Sequence, residues 1–250
     1  MEFVDQVALV TGGGSGIGRA AAVALAAQGA TVVVAGRRAA SLDETVAAVE
    51  AAGGTAYAHR ADVTVADEVA DLISATVTRH GRLDIAFNNA GILAAAPLAD
   101  LDPVDWDRLV AVNLTGVFLA MKHEIAHMRS AGGGVIVNTA SNIGAHQRRA
   151  GMAGYVATKA AVSALTRGAA LDHIGDGVRI NAISPGPTET TMSLRPGESE
   201  ADRARRLAEV NPSGRAATVD EIVAAVLWLC SPRSSYVVGH DLVVDGGATA

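Results

Sequence analysis

A single cysteine in 250 residues excludes any internal disulfide, an arrangement suited to a reducing compartment. That residue, Cys230, falls on the apolar side of AAVLWLC and is expected to be an inert buried thiol. Aromatic residues make up only 3% of the chain although half of it is hydrophobic. The core must therefore be built from Ala, Val, Leu and Ile, with helices lying close to their sheet. Nucleic acid is a poor candidate partner, because the formal charge is −6 and no basic stripe runs along the chain. The first residues, MEFVDQVALVTGG, have neither the charged nor the apolar region of a signal peptide. No apolar run reads as long and unbroken enough to span a bilayer. A cytoplasmic protein without membrane association is expected.

What is present is a regular alternation. Apolar, β-branched runs begin at Val7, Thr31, Thr55, Leu83, Gly134, Val178 and Asp241, with helical segments and little linker between them. About seven strands in such a series predict a doubly wound Rossmann-type α/β fold: a parallel sheet with helices on both faces. One domain spanning 1–250 is expected. Ser41 to Glu44 and Thr218 to Glu221 read as capping boxes, and Asp102 with Pro103 reads as a helix start. Gly29, Gly53, Gly81 and Gly175 read as helix ends. The stretch 185–200, rich in Pro, Gly and Thr, reads as a flap over a ligand or as a surface loop.

The first strand runs into Thr11-Gly12-Gly13-Gly14-Ser15-Gly16-Ile17-Gly18 and then a helix. Glycines in such a turn let backbone N–H groups approach a pyrophosphate at the helix N-terminus. After the second strand, where a carboxylate would receive the ribose 2′-hydroxyl of NAD, stand Gly36, Arg37 and Arg38. No Asp or Glu occurs between Ser15 and Asp43. Guanidinium groups bind a 2′-phosphate that a carboxylate would repel, so NADP(H) is expected over NAD.

Tyr155 and Lys159 are four residues apart in a helical run, hence on one face, and Ser141 ends a strand upstream. A cation ~4 Å from a phenol, at an effective dielectric of ~20, favours phenolate by ~4 kcal/mol, about three pKa units. On this reading Lys159 makes Tyr155 a proton donor and acceptor near neutrality, while Ser141 orients a substrate oxygen.

The ordered set TGGGSGIG, Asp62-Val63, NNAG at Asn88 to Gly91, Asn113 within VNLTGVF, Ser141, Tyr155 with Lys159, NAISPGP and the terminal VVGHDLVVDGG resembles the short-chain dehydrogenase/reductase family over essentially the whole length. The resemblance implies a catalytic tetrad of Asn113, Ser141, Tyr155 and Lys159. It implies adenine contacts from Asp62 and Val63, and ribose contacts from Asn89, Ala90, Gly91, Tyr155 and Lys159. Nicotinamide contacts are implied from Pro185, Gly186 and the backbone beyond. Thr190 matches the family's usual threonine, whereas Thr188 stands where an aliphatic residue is commoner. The implied reaction is hydride transfer between NADP(H) and a ketone or secondary alcohol, in a homotetramer or dimer. A carrier-linked 3-oxoacyl reductase, docking its carrier through Arg129, Arg148 and Arg149, is the alternative within that chemistry. A nucleotide-sensing protein without catalysis is the alternative outside it.

Two further features remain. His123-Glu124-Ile125-Ala126-His127 has the H-E-x-x-H pattern of zinc peptidases, but no third ligand follows. No metal site is expected, and these residues are placed on an exposed or subunit-facing side of their helix. Between Ser141 and Tyr155, His146, Arg148 and Arg149 can contact a polar or anionic substrate, or form a solvated basic turn. Ile143, Met152 and the Leu93 to Ala96 stretch offer an apolar wall.

Overall fold

The computed structural model describes residues 1–250. Seven strands form one sheet: β1 (Val7–Thr11), β2 (Thr31–Gly36), β3 (Thr55–Arg60), β4 (Ile85–Asn88), β5 (Gly134–Thr139), β6 (Val178–Pro185) and β7 (Asp241–Val244). Every neighbouring pair is parallel, in the order β3-β2-β1-β4-β5-β6-β7. The chain winds outward from β1 to β3, then restarts at β4 on the other side of β1. This reversal leaves a crevice beyond the carboxyl ends of β1 and β4.

Strand alternation sends side chains to two cores. Val10, Val32, Val34 and Phe87 meet α1 (Gly16–Ala27), α2 (Ala39–Ala51) and α8 (Val219–Cys230) on one face. Leu9, Val33, Ile136 and Ile180 meet α3 (Ala66–His80), α5 (Gly116–Ala131) and α6 (Ala153–His173) on the other. Two further helices, α4 (Pro103–Val110) and α7 (Glu200–Val210), complete the set. Cys230 lies in the first core, and burial pushes its thiol up to about 12.

Local punctuation departs from expectation at several points. The Asp102 cap and the Thr218–Glu221 capping box are present. Ser41, however, is inside α2, which begins at Ala39, and its carbonyl is taken by Arg19. The left-handed residue after α6 is Gly177 (φ 78°), not Gly175, because a short 3₁₀ turn continues the chain past Ile174. The helical run Pro103–Ala131 has a mean hydropathy of 1.3 over an 18-residue window, long and apolar enough on those measures to cross a bilayer. That corrects the reading of the sequence. The apolar residues of α5, among them Val117, Met121, Ile125 and Met128, are spent on the second core.

The H-E-x-x-H segment is also corrected at Glu124, which faces inward, while His123 and His127 are half-buried. Glu124 is fully buried and accepts a 2.9 Å hydrogen bond from Asn88 Nδ2, while His127 Nε2 accepts from the Leu83 amide at 3.2 Å. Asn88 donates in addition to Asn138 Oδ1, and Asn138 donates to Thr166. This polar string pins β4, β5, α5 and α6 together inside an apolar core. No group of three His, Cys, Asp or Glu side chains comes together in the chain.

Burial lifts the Glu124 carboxyl to about 7, and the Asn88 hydrogen bond pulls partly against it. A folded-state value above the unfolded one gives stability that is present below the unfolded value and lost as pH rises through about 7. Glu124→Gln lacks this loss. In urea unfolding, the stability difference between variant and wild type should move in the variant's favour by roughly 2 kcal/mol from pH 5 to pH 8. A pH-independent difference contradicts the assignment.

Candidate active site

The glycine turn sits at the crevice because its backbone must pass hard against the segment after β4. A Cβ on Gly12, whose φ is 65°, would lie 2.9 Å from the Ala90 Cα, and one on Gly18 would run into the Gly12 carbonyl. Thr11 Oγ1 accepts from the amides of Asn89 and Ala90, and Asn89 Nδ2 reaches the carbonyls of Thr11 and Gly12. Ser15 is the N-cap of α1, yet its side chain makes no capping bond and the first turn holds no acidic residue. The positive end of α1 is thereby left bare toward the crevice.

A cavity of about 290 Å³ opens there, lined by Gly12, Ser15, Arg37, Arg38, Asp62, Val63, Ala90 and Gly91, among others. Arg38 caps α2 in an extended conformation, again without a side-chain capping bond or an acid in the first turn. Arg37 lies 3.9 Å from Asp62, whose carboxylate also takes the amide and hydroxyl of Thr64. Two arginines thus line the cavity with one carboxylate. Ile17 follows the bare helix end and packs against the first core.

Asn113 is displayed by a π-type turn, Ala111–Thr115, between α4 and α5. Such a turn adds a residue to the helical repeat and marks many functional positions. The fully buried Asn113 accepts from the Ile92 amide at 2.8 Å and donates to the Ile92 carbonyl at 3.0 Å and to Thr158 at 3.3 Å. It clamps the segment after β4 onto the helix that carries Tyr155. A Cβ on Gly91 would be 3.4 Å from Asn113 Oδ1 and 3.5 Å from Lys159 Nζ, so these three positions converge.

Ser141, Tyr155 and Lys159 are all buried, with 8%, 8% and 4% of their surface exposed. Lys159 Nζ donates to the Thr139 carbonyl at 2.7 Å, and no carboxylate lies within ion-pair distance of it. Burial lowers its ammonium to about 8. The phenol is corrected in direction: burial holds Tyr155 above the ordinary tyrosine range, and only the Ser141 hydroxyl pulls it down. One Lys159 N–H is held by a backbone carbonyl, and the desolvation of a phenolate outweighs the attraction expected from helical spacing alone.

The segment after β6 returns to the same place. Gly186 donates to the Val244 carbonyl, and Thr188 turns its hydroxyl onto the Gly186 carbonyl, satisfying itself within a buried position. A Cβ on Gly16 would meet the Thr190 methyl at 3.2 Å, which brings this segment against the glycine turn. Pro185 ends β6, and a short 3₁₀ turn at Thr191–Ser193 precedes α7.

His146 does not join a substrate surface. Its Nε2 lies 2.8 Å from Asp241 Oδ2, a carboxylate that also takes the hydroxyls of Ser163 and Ser184. The histidine anchors the loop before α6 to β7. Two supporting residues were missed in the sequence. Arg19 donates to the Gly14 and Ser41 carbonyls and to Thr45, while Thr45 donates to the Gly13 carbonyl. A cation in the first turn of α1, opposed to the helix dipole, was the one available signal.

A bare helix end at the crossover of a parallel sheet, facing a buried serine, tyrosine and lysine, defines a dinucleotide-dependent oxidoreductase. The chain belongs to the short-chain dehydrogenase/reductase family, whose members bind NAD(P). Residues 12–249 match the family model described as enoyl-(acyl carrier protein) reductase. The chain is 42% identical over 250 residues to cis-4-hydroxycyclohexanecarboxylate dehydrogenase of Sinomonas cyclohexanicum, covering 99% of this chain and 98% of the relative. Among solved structures, levodione reductase superposes with a TM-score of 0.94 at 38% identity, covering 99% of this chain and 98% of that one. A 7α-hydroxysteroid dehydrogenase complexed with NADH and 7-oxo glycochenodeoxycholic acid gives 0.92 at 32% identity, over 98% and 95% of the two chains.

A lysine held below its unfolded value is a stability cost while it is charged. The cost is full below about pH 8 and fades as pH rises toward the unfolded value. Lys159→Met should therefore be more stable than wild type at pH 7, by up to about 3 kcal/mol, with a smaller margin at pH 10. Denaturant unfolding at the two pH values checks this. Equal margins, or a destabilised variant at pH 7, contradict it.

Proposed function

We propose that this protein reversibly transfers hydride between NADP(H) and a ketone or secondary alcohol borne on a ring. The observation that carries the reading is the convergence of buried Ser141, Tyr155 and Lys159 with the bare N-terminus of α1 at the carboxyl end of the sheet. The ring follows from relatives whose names specify a hydroxycyclohexane and a hydroxysteroid.

The uncapped α1 end with Gly12, Ser15, Gly16, Ile17 and Gly18 would hold the pyrophosphate. Arg37 and Arg38, at the bare start of α2, would hold a 2′-phosphate, with Asp62 and Val63 beside the adenine. Asn89, Ala90, Gly91 and Lys159 would line the nicotinamide ribose. Pro185, Gly186, Thr188 and Thr190 would close on the nicotinamide, with 185–200 acting as a flap on one domain, 1–250, that binds and reacts. When bound, the dinucleotide supplies or accepts the hydride.

The chain's own residues manage the oxygen and the proton. Ser141 hydrogen-bonds the substrate oxygen and fixes the reacting carbon. Tyr155 gives its phenolic proton to that oxygen in reduction and takes it back in oxidation. Lys159 keeps a positive charge behind the phenol, so charge on Tyr155 is met as it develops. Asn113 holds the segment after β4 and the Tyr155 helix in register, and supports the family's water relay to solvent.

The proposal extends to a cytoplasmic homo-oligomer, tetramer or dimer, supported by Val104, Trp106, Phe118 and Leu171 exposed on α4, α5 and α6. A carrier-linked reductase is less well supported, because Arg129 is tied to Asp176 at 3.1 Å. Turnover read through nicotinamide absorbance tests the proposal. Tyr155→Phe should lose at least roughly a hundredfold in kcat, and Ser141→Ala should lose turnover while still binding NADPH. Arg37→Ala with Arg38→Ala should weaken NADPH about tenfold and NADH less. Undiminished turnover by Tyr155→Phe contradicts the mechanism, and a wild-type preference for NADH contradicts the cofactor.

A further inference from the structure

Two side chains outside the crevice hold the carbonyls of the glycine turn. Thr45, fully buried on α2, has its hydroxyl 2.9 Å from the Gly13 carbonyl and 3.1 Å from the Ser41 carbonyl. Arg19, in the first turn of α1, donates from Nε to the Thr45 oxygen at 3.0 Å and from a terminal nitrogen to the Gly14 carbonyl at 2.7 Å. That terminal nitrogen also pairs with Glu44 at 2.7 Å. The turn and α2 are pressed together here, since a Cβ on Gly14 would lie 3.0 Å from the Ser41 Cβ.

Two successive carbonyls of the turn are therefore drawn to the same side. In a planar trans peptide the N–H points opposite to the C=O. The Gly13–Gly14 and Gly14–Ser15 peptides thus turn the amides of Gly14 and Ser15 away from the Thr45 and Arg19 side chains. Gly14 and Ser15 line the cavity, whereas Arg19 and Thr45 do not. The amides from Gly14 to Gly18 have no acceptor in the chain, although those on either side do: Gly13 donates to the Ala35 carbonyl and Arg19 to the Ser15 carbonyl. A cation in the first turn is opposed by the helix dipole, and Glu44 offsets it. What Arg19 contributes to the turn is its fork of donors rather than its charge.

We propose that Arg19 and Thr45 are positioning residues for the diphosphate of the dinucleotide. By holding the Gly13 and Gly14 carbonyls they aim the Gly14 and Ser15 amides into the crevice, and neither touches the ligand. Donors fixed in advance bind an anion without the cost of ordering the turn on arrival. The proposal rests on the crevice being the dinucleotide site, and it can be tested without turnover.

The test is calorimetric titration of the full-length protein with ADP-ribose, which carries the diphosphate but cannot accept hydride, and with adenosine, which has no phosphate. Thr45→Val should weaken ADP-ribose about tenfold and adenosine less than about twofold, and Thr45→Ser should bind both as wild type does. Arg19→Met should show the same selective loss. Arg19→Lys should recover little of it, because an ammonium keeps the charge but lacks the fork that reaches Thr45 and Gly14 together. In turnover, KM for the dinucleotide should rise by a similar factor while KM for the ketone stays fixed. Equal losses for ADP-ribose and adenosine overturn the proposal, because a damaged α2 weakens both. Full recovery by Arg19→Lys overturns it as well, since the charge alone would then be acting. Selective loss of ADP-ribose in a protein that reduces no ketone would strike the reaction and leave the positioning standing. Undiminished ADP-ribose binding by Thr45→Val and Arg19→Met, in an enzyme that turns over, would do the reverse.

Discussion

A positive charge buried without a counter-ion is the constraint around which this site is arranged. Lys159 is almost wholly enclosed, and its only partner is the Thr139 carbonyl at the carboxyl end of β5. A backbone oxygen carries a partial charge, so the ammonium is solvated by the protein but not neutralised. That leaves it available to a ribose hydroxyl or to a phenol that is gaining charge. The lowering of its ionisation to about 8 records the cost of this arrangement. Functional sites concentrate such perturbed groups because the same burial that destabilises a charge makes it effective in a reaction.

Around that charge, two halves of the molecule perform different tasks. From β1 to β3, uncapped helix ends, a tight glycine turn and two arginines form an anion-binding surface with a single carboxylate on its rim. From β4 to β7, the polar string of Asn88, Glu124, Asn138 and Thr166 and the clamp of Asn113 on Ile92 and Thr158 fix the strand end that presents Ser141 and the helix that presents Lys159. Asp241 ties the loop before α6 to β7 through His146. These bonds lie behind the reacting groups, which need positions held within fractions of an ångström.

Strand positions, the glycine turn and the Tyr155–Lys159 pair were legible because each follows from local spacing: alternation, a turn with no room for side chains, and one helical turn. What was hidden depends on distant partners. Nothing local distinguishes Asn113 as the residue on a π-type turn, since its bonds run to Ile92 and Thr158. Glu124 read as one member of a surface motif, and its burial is decided by Asn88 on a strand far away in the chain. His146 read as facing either substrate or solvent, and Asp241 turns it inward. The direction of Tyr155 was missed for a related reason, because helical spacing reports proximity to a lysine but not how deeply both are buried. The hydropathy of Pro103–Ala131 emerged only when two helices and the turn between them joined into one run.

The most direct test of the buried charge is kcat/KM for the dinucleotide in carbonyl reduction, which reports ionisations of the free enzyme. Measured from pH 7 upward, it should decline with a single proton as pH rises through about 8, the point at which Lys159 loses its charge. A profile that stays level to pH 10 would show that the charge on Lys159 is not what the site depends on.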